Sequence, residues 1–255
     1  MGASGIFRFR ATGIVLILVI AAAWEYFSGL LQSQSWPTIS QISVSMVAGL
    51  ATGELTGAFL ATLRTTAIGF VIGVGAGVTM GLLMAISKYV HGSANLLVEL
   101  LRPIPIPAII PPLILIFGID DGLKIFVVAF SVFFPVLVNT ISGVRSVDKV
   151  SVDVGRNLRA GQLRILLQII LPASMPYILA GMRIGVSLSL LIAVTAEMIA
   201  GAAGVGYYLM AMQYAMRAAD MYAAVFLLAL VGYILNRGFL VVEARILHWY
   251  KAKGG

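Results

Sequence analysis

The chain of 255 residues contains no cysteine, which excludes disulfides, thiolate metal sites and a cysteine nucleophile. Histidine is almost as scarce. His91 and His248 stand far apart, each beside the end of an apolar run, where an interfacial place suits them better than metal ligation. Charged residues make up only 11%, far below the share a soluble domain carries. No Walker-type phosphate loop, ATPase signature, nucleophile triad or metal box occurs in the sequence, so no catalytic residue, metal site or cofactor is assigned to the chain and it is not read as an enzyme. What fills it is apolar: hydrophobic residues reach 60% and the mean hydropathy is +1.03. Long apolar runs of this kind define an all-α, polytopic protein of the lipid bilayer. The net charge of +7 does not point to nucleic acid, because the 17 basic residues form no patch and fall mostly in short gaps between apolar runs. That distribution orients the loops, basic side inward.

About six spans follow one another. The first, residues 14–31, comes after Arg8 and Arg10 and runs past Trp24, Tyr26 and Phe27 with no polar domain behind it, so it reads as an uncleaved helix rather than a signal peptide. Residues 32–54 form the longest polar gap, expected on the outer face, with an amphipathic stretch around Ile42, Val44, Met46 and Val47. In the second span, 58–86, Gly69, Gly73, Gly77 and Gly81 recur every four residues. Such a ridge lets a second helix approach closely in lipid, where packing drives association. Lys88 and His91 mark the inner turn that follows.

The third span, 96–119, contains Pro103, Pro105, Pro107, Pro111 and Pro112. Proline removes a donor and clashes with the preceding turn, so no regular helix runs through all five. Broken backbone at membrane depth is tolerated where it is buried in protein or lines a cavity. Pro103, Pro105 and Pro107 are therefore candidates for the border of a translocation path, the alternative being a packing elbow. After Asp120 and Asp121 at an outer turn comes the fourth span, 125–143, and then Arg145 and Lys149 on the inner side. The fifth span, 173–199, adds Ser187, Ser189 and Glu197 to the candidate path. Hydroxyls in membrane helices also bond their own backbone, and an acid at a span end is also solvated, so both alternatives stay open. Residues 201–220 form a second outer segment, and a sixth span, 223–240, leads to Arg237, Arg245, Lys251 and Lys253, which place both termini inside.

Between the fourth and fifth spans lies a charged island, SVDVGRNLRAGQLRILLQIILPASMP, residues 151–176. Ser151 is placed to cap a short helix, Asp153 falls in its first turn where the dipole favours an acid, and Val150, Val154 and Leu158 form an apolar stripe. A helix with one apolar and one charged face suits the membrane surface and a partner.

The spacing in this island resembles the cytoplasmic motif of the permease subunits of binding-protein-dependent ABC importers: E-A-A, three residues, G, nine residues, I, one residue, L-P. Asp153, Val154 and Gly155 stand at its first three positions, Arg159 at the glycine, and Ile169, Leu171 and Pro172 at its end. Asp153 is a shorter acid than the usual Glu, and Arg159 replaces a glycine expected to turn the chain. Either Arg159 adopts that turn or Gly161 supplies it two residues later. The stretches ELLRPIP, FFPVLVNTISGVRSVD and GAAGVGYYLM are similar to those of the nitrate, taurine and aliphatic sulfonate permeases, although this chain has Ile109 or Ile110 where those relatives usually have a tryptophan. The resemblance covers about residues 53–249.

The resemblance implies one permease domain over 1–255, with the type I ABC importer permease fold, in the inner membrane of a prokaryote. It implies a coupling helix at 151–161, in which Asp153, Val154, Gly155, Arg156, Leu158, Arg159, Ala160 and Gly161 meet an ABC ATPase subunit, with Ile169, Leu171 and Pro172 completing the motif. It further implies a second permease copy as a homodimer, an extracytoplasmic substrate-binding protein, ATP and magnesium held by the ATPase, and a small organic or inorganic anion as cargo. The rival is a passive channel or membrane scaffold without an ATPase, which has no need of this motif.

Overall fold

The structure, a computed structural model, describes residues 3–251, and the side chains of Arg8, Arg10, Lys251 and Lys253 lie outside the described part. The described residues form helices joined by short turns. In order they are α1 (Ala3–Leu31), α2 (Ile39–Ala51), α3 (Glu54–Ile86), α4 (Lys88–Leu101), α5 (Ile106–Phe117), α6 (Asp121–Arg145), α7 (Lys149–Asn157), α8 (Gln162–Ile165), a π-helical turn (Leu166–Ile170), α9 (Leu171–Ala200), α10 (Val205–Tyr214), α11 (Ala218–Ile246) and α12 (His248–Lys251). Among the described residues α3, α6, the continuous run Gln162–Ala200 and α11 are long and apolar enough to cross a membrane. The pair α4 and α5, bent by 101°, passes the same test only when the two helices are taken together, as one broken span or a re-entrant loop. Each of the six expected spans falls on a helix or on this broken pair; the first falls on α1, whose described apolar part is Val15–Leu31.

Proline chemistry places the break. Residues 102–105 leave the helix, Pro107 sits in the first turn of α5 where its missing N–H is not needed, and Pro111 and Pro112 are carried inside α5. Gly118, at φ 72°, then ends the helix.

The contacts fall into two compact units: residues up to 58 with 208–229, and residues 59–207 with the remainder. In the first, the Trp24 indole N–H donates to the Pro37 carbonyl at 3.0 Å, and its ring stands edge-on to Tyr222 and Phe226. Thr38 and Gln41 close a reciprocal capping box on α2, the amphipathic stretch expected in the polar gap.

The second unit is built around α6. Here α3 approaches it along the glycines: a Cβ on Gly73 would stand 2.5 Å from the Ala129 carbonyl oxygen, one on Gly77 2.9 Å from that of Phe133, one on Gly69 2.6 Å from Val128 Cβ, and one on Gly81 2.7 Å from Thr140 Cβ. On another side α9 closes in through Gly181, whose Cβ would lie 2.9 Å from the Pro135 carbonyl oxygen, while Gly143 of α6 faces Ser174 and Tyr177. Ile110 of α5, Leu123, Val127 and Val128 of α6, and Ile192, Ala193 and Ala196 of α9 bury one common cluster. A second cluster joins Met84, Ala94 and Leu137 from α3, α4 and α6.

Candidate functional site

The charged island folds back on its own chain. Asp148, not Ser151, is the N-cap of α7: its carboxylate accepts from the Val150 and Ser151 N–H groups at 3.1 and 3.3 Å, while Ser151 already lies inside the first turn. The Val150 N–H, with help from Ser151, holds the Asp148 carboxyl below the usual range, so the cap stays ionised at neutral pH. Asp153 pairs with Arg156 at 3.2 Å, both exposed.

Arg159 resolves the open turn. Its φ is +54°, whereas Gly161 has φ −64°. The Ala160 N–H donates to the Gly155 carbonyl at 3.0 Å and the Arg159 N–H to that of Arg156 at 2.8 Å, which is the Schellman closure with arginine at the left-handed position.

Gly155 is buried, and a Cβ there would lie 2.8 Å from Ile169 Cδ1 and 3.3 Å from Ile165 Cγ1. It therefore seats α7 on α8 and the π turn, so the Gly155 expected at a partner surface faces its own chain. The π turn precedes Pro172, which has no N–H to give back, and the Leu171 N–H reaches the Leu166 carbonyl across the wider loop. The stripe is left outside: Val150, Val154 and Leu158 are 67%, 51% and 77% exposed. Motif residues from Asp153 to Pro172 thus make one folded corner, continuous with α9.

The candidate path residues do not come together. Pro103, Pro105, Pro107 and Ser187 are exposed. Ser189 is buried and donates to the Val186 carbonyl at 2.8 Å, so its hydroxyl serves its own helix. Glu197 is neither solvated nor open to a path: it is 1% exposed. Thr62 donates to its Oε2 at 2.8 Å, the Gly206 N–H does so at 3.0 Å, and the same Thr62 oxygen accepts from the Val205 N–H at 2.8 Å. Gly204, at φ +105°, is pressed against the carboxylate so closely that a Cβ would overlap it. Glu197 therefore fastens the turn between α9 and α10 to α3. Lys124, 4% exposed and paired with Asp121 at 2.6 Å, is a buried charge that sequence reasoning missed. Its signal was a lysine beginning an apolar run three residues after an acid. On the far part of α9, Arg183 Nε donates to Glu243 of α11 at 3.0 Å. Among the described residues no cluster of metal-ligating side chains occurs.

The chain belongs to the family of binding-protein-dependent transport system inner membrane components, whose model matches residues 73–248. It is 31% identical over 245 residues to a Bacillus subtilis protein named as an aliphatic sulfonates transport permease, SsuC, covering 95% of this chain and 89% of that one. To the taurine transport system permease TauC of Escherichia coli it is 30% identical over 165 residues, 65% of this chain and 60% of that one. Its fold matches a chain of the MetNI methionine ABC transporter in inward-facing form, with TM-score 0.65 at 16% identity over 74% of this chain and 94% of that one. The protein is a multi-pass permease component of a binding-protein-dependent ABC importer, with the type I importer permease fold.

Proposed function

We propose that residues 1–255 act as one permease domain that imports a small anion of the sulfonate, taurine or nitrate type, driven by a separate ABC ATPase. The observation that carries the coupling is the corner at α7. Its exposed stripe of Val150, Val154 and Leu158 is the face an ATPase would grip, and Gly155 locks that face onto Ile165 and Ile169. Movement of α7 passes through the π turn into α9, and from α9 into α6 across the Gly143 and Gly181 contacts. Close-packed contacts of this kind transmit displacement rather than absorb it.

ATP and magnesium belong to the ATPase in this reading. A binding protein delivers the anion on the opposite side, both termini are cytoplasmic, and a second copy completes the path in a homodimer of the prokaryotic inner membrane. The exposed backbone break at residues 102–105 supports the second copy, because such a segment is tolerated at membrane depth against protein or water but not against lipid. The anion class is that of SsuC and TauC.

The test is binding-protein-stimulated ATP hydrolysis by the reconstituted complex. Burying an apolar side chain is worth about 1.5–3 kcal/mol, so charging two of them in Val154→Asp with Leu158→Asp should lower stimulation about tenfold or more. Full stimulation in that double variant sinks the coupling role of α7.

A further inference from the structure

At the elbow between α4 and α5 a cavity of about 280 Å³ opens in the middle of the second unit. Arg102, Ile104 and Ile106 reach it from the broken segment, Phe130, Ser131 and Phe134 from α6, and Leu188 from α9. Ser131 lies ten residues from Asp121, about 15 Å along α6, and Leu188 twelve residues before Ala200, about 18 Å along α9, so the cavity is at mid-span. Its walls are apolar and aromatic. The Ser131 hydroxyl gives its proton to the Val128 carbonyl at 2.7 Å. The cation on the wall is Arg102, and among the described residues no hydrogen bond or ion pair engages its guanidinium. No acid lines the cavity.

We propose that this cavity is a transit site for the small anion, with the Arg102 guanidinium as its recognition group; the inference rests on the anion-importer reading above. Arg102 is exposed in the single chain, and a cation beside apolar walls at membrane depth calls for a counter-charge. The planar fork of arginine matches two oxygens of a sulfonate, carboxylate or nitrate at once. The size agrees: the cavity is below the roughly 300 Å³ at which pockets for drug-sized ligands begin, so it admits a solute of a few heavy atoms. A single cation without a further described donor side chain also suits a path, which must release what it holds. A lipid phosphate offers the same chemistry to an exposed arginine and is separated from the solute by the test.

The experiment measures uptake of radiolabelled methanesulfonate, taurine and nitrate by the complete importer in proteoliposomes, with assembled yield followed alongside. Arg102→Gln should lose about tenfold or more of uptake, the size of one charge-assisted contact, and Arg102→Lys should retain the larger share. Leu188→Trp, which fills the cavity and leaves the charge, should also block uptake. Unaltered uptake in Arg102→Gln, or equal losses in the Gln and Lys variants, overturns the site while leaving the importer reading intact. An effect of Arg102→Gln confined to vesicles containing anionic lipid assigns the guanidinium to a headgroup and equally overturns it. No uptake of any of the three anions by the unaltered importer overturns the anion reading and the site together.

Discussion

Arg159 holds a conformation that its side chain disfavours. A left-handed backbone costs a residue with a Cβ roughly 1–2 kcal/mol, yet the two closing hydrogen bonds at 3.0 and 2.8 Å keep it there. Arg159→Gly should raise the melting temperature or leave it unchanged, with stimulated ATP hydrolysis retained, because glycine takes φ +54° without penalty. A lower melting temperature would show that the guanidinium makes a contact worth more than the strain. Glu197 teaches the complementary lesson at this scale. An acid near the end of an apolar run was legible as special, but its partners Thr62 and Gly206 lie 135 and 9 positions away and no pattern pairs them in advance.

The four-residue glycine spacing marked a ridge, and in the structure that ridge is where α3 touches the α6 backbone. Gly73→Leu should force the helices apart, and overpacking of this kind typically costs about 1–3 kcal/mol, seen as a lower melting temperature and a smaller assembled yield. Gly75, two residues on and facing open space, is the control: Gly75→Leu should be tolerated. Equal behaviour of the two variants would remove the packing role. The coupling corner shows where an element-level pattern stops. Periodicity grouped Val150, Val154 and Leu158, but it did not show that Gly155 turns inward to Ile169, so a bulky residue there would unseat α7 from its own chain before it met any partner.

The whole molecule has a direction in the membrane, set by its basic loops. Having no native cysteine, the chain accepts single cysteines at Gln34, Lys88, Arg156 and Ala202, all exposed positions. An impermeant thiol reagent applied outside cells should mark 34 and 202 and miss 88 and 156, because basic residues hold short loops in the cytoplasm. Outside labelling at 156 reverses the proposed orientation.

The bilayer environment, the approximate spans, the break in the third of them and the spacing of the motif from Asp153 to Pro172 were legible in the chain. These are local properties: apolar length, missing proline donors and fixed spacing act within one stretch of chain. Tertiary structure alone decided that Arg159 rather than Gly161 makes the turn, that Ser189 and Glu197 face inward while Ser187 faces out, and that Arg102 stands on a cavity walled by Phe130 and Leu188. Each of those outcomes depends on which surfaces of α3, α5, α6 and α9 meet, and such a meeting is fixed by close packing between residues far apart in the chain, where neither periodicity nor composition carries information.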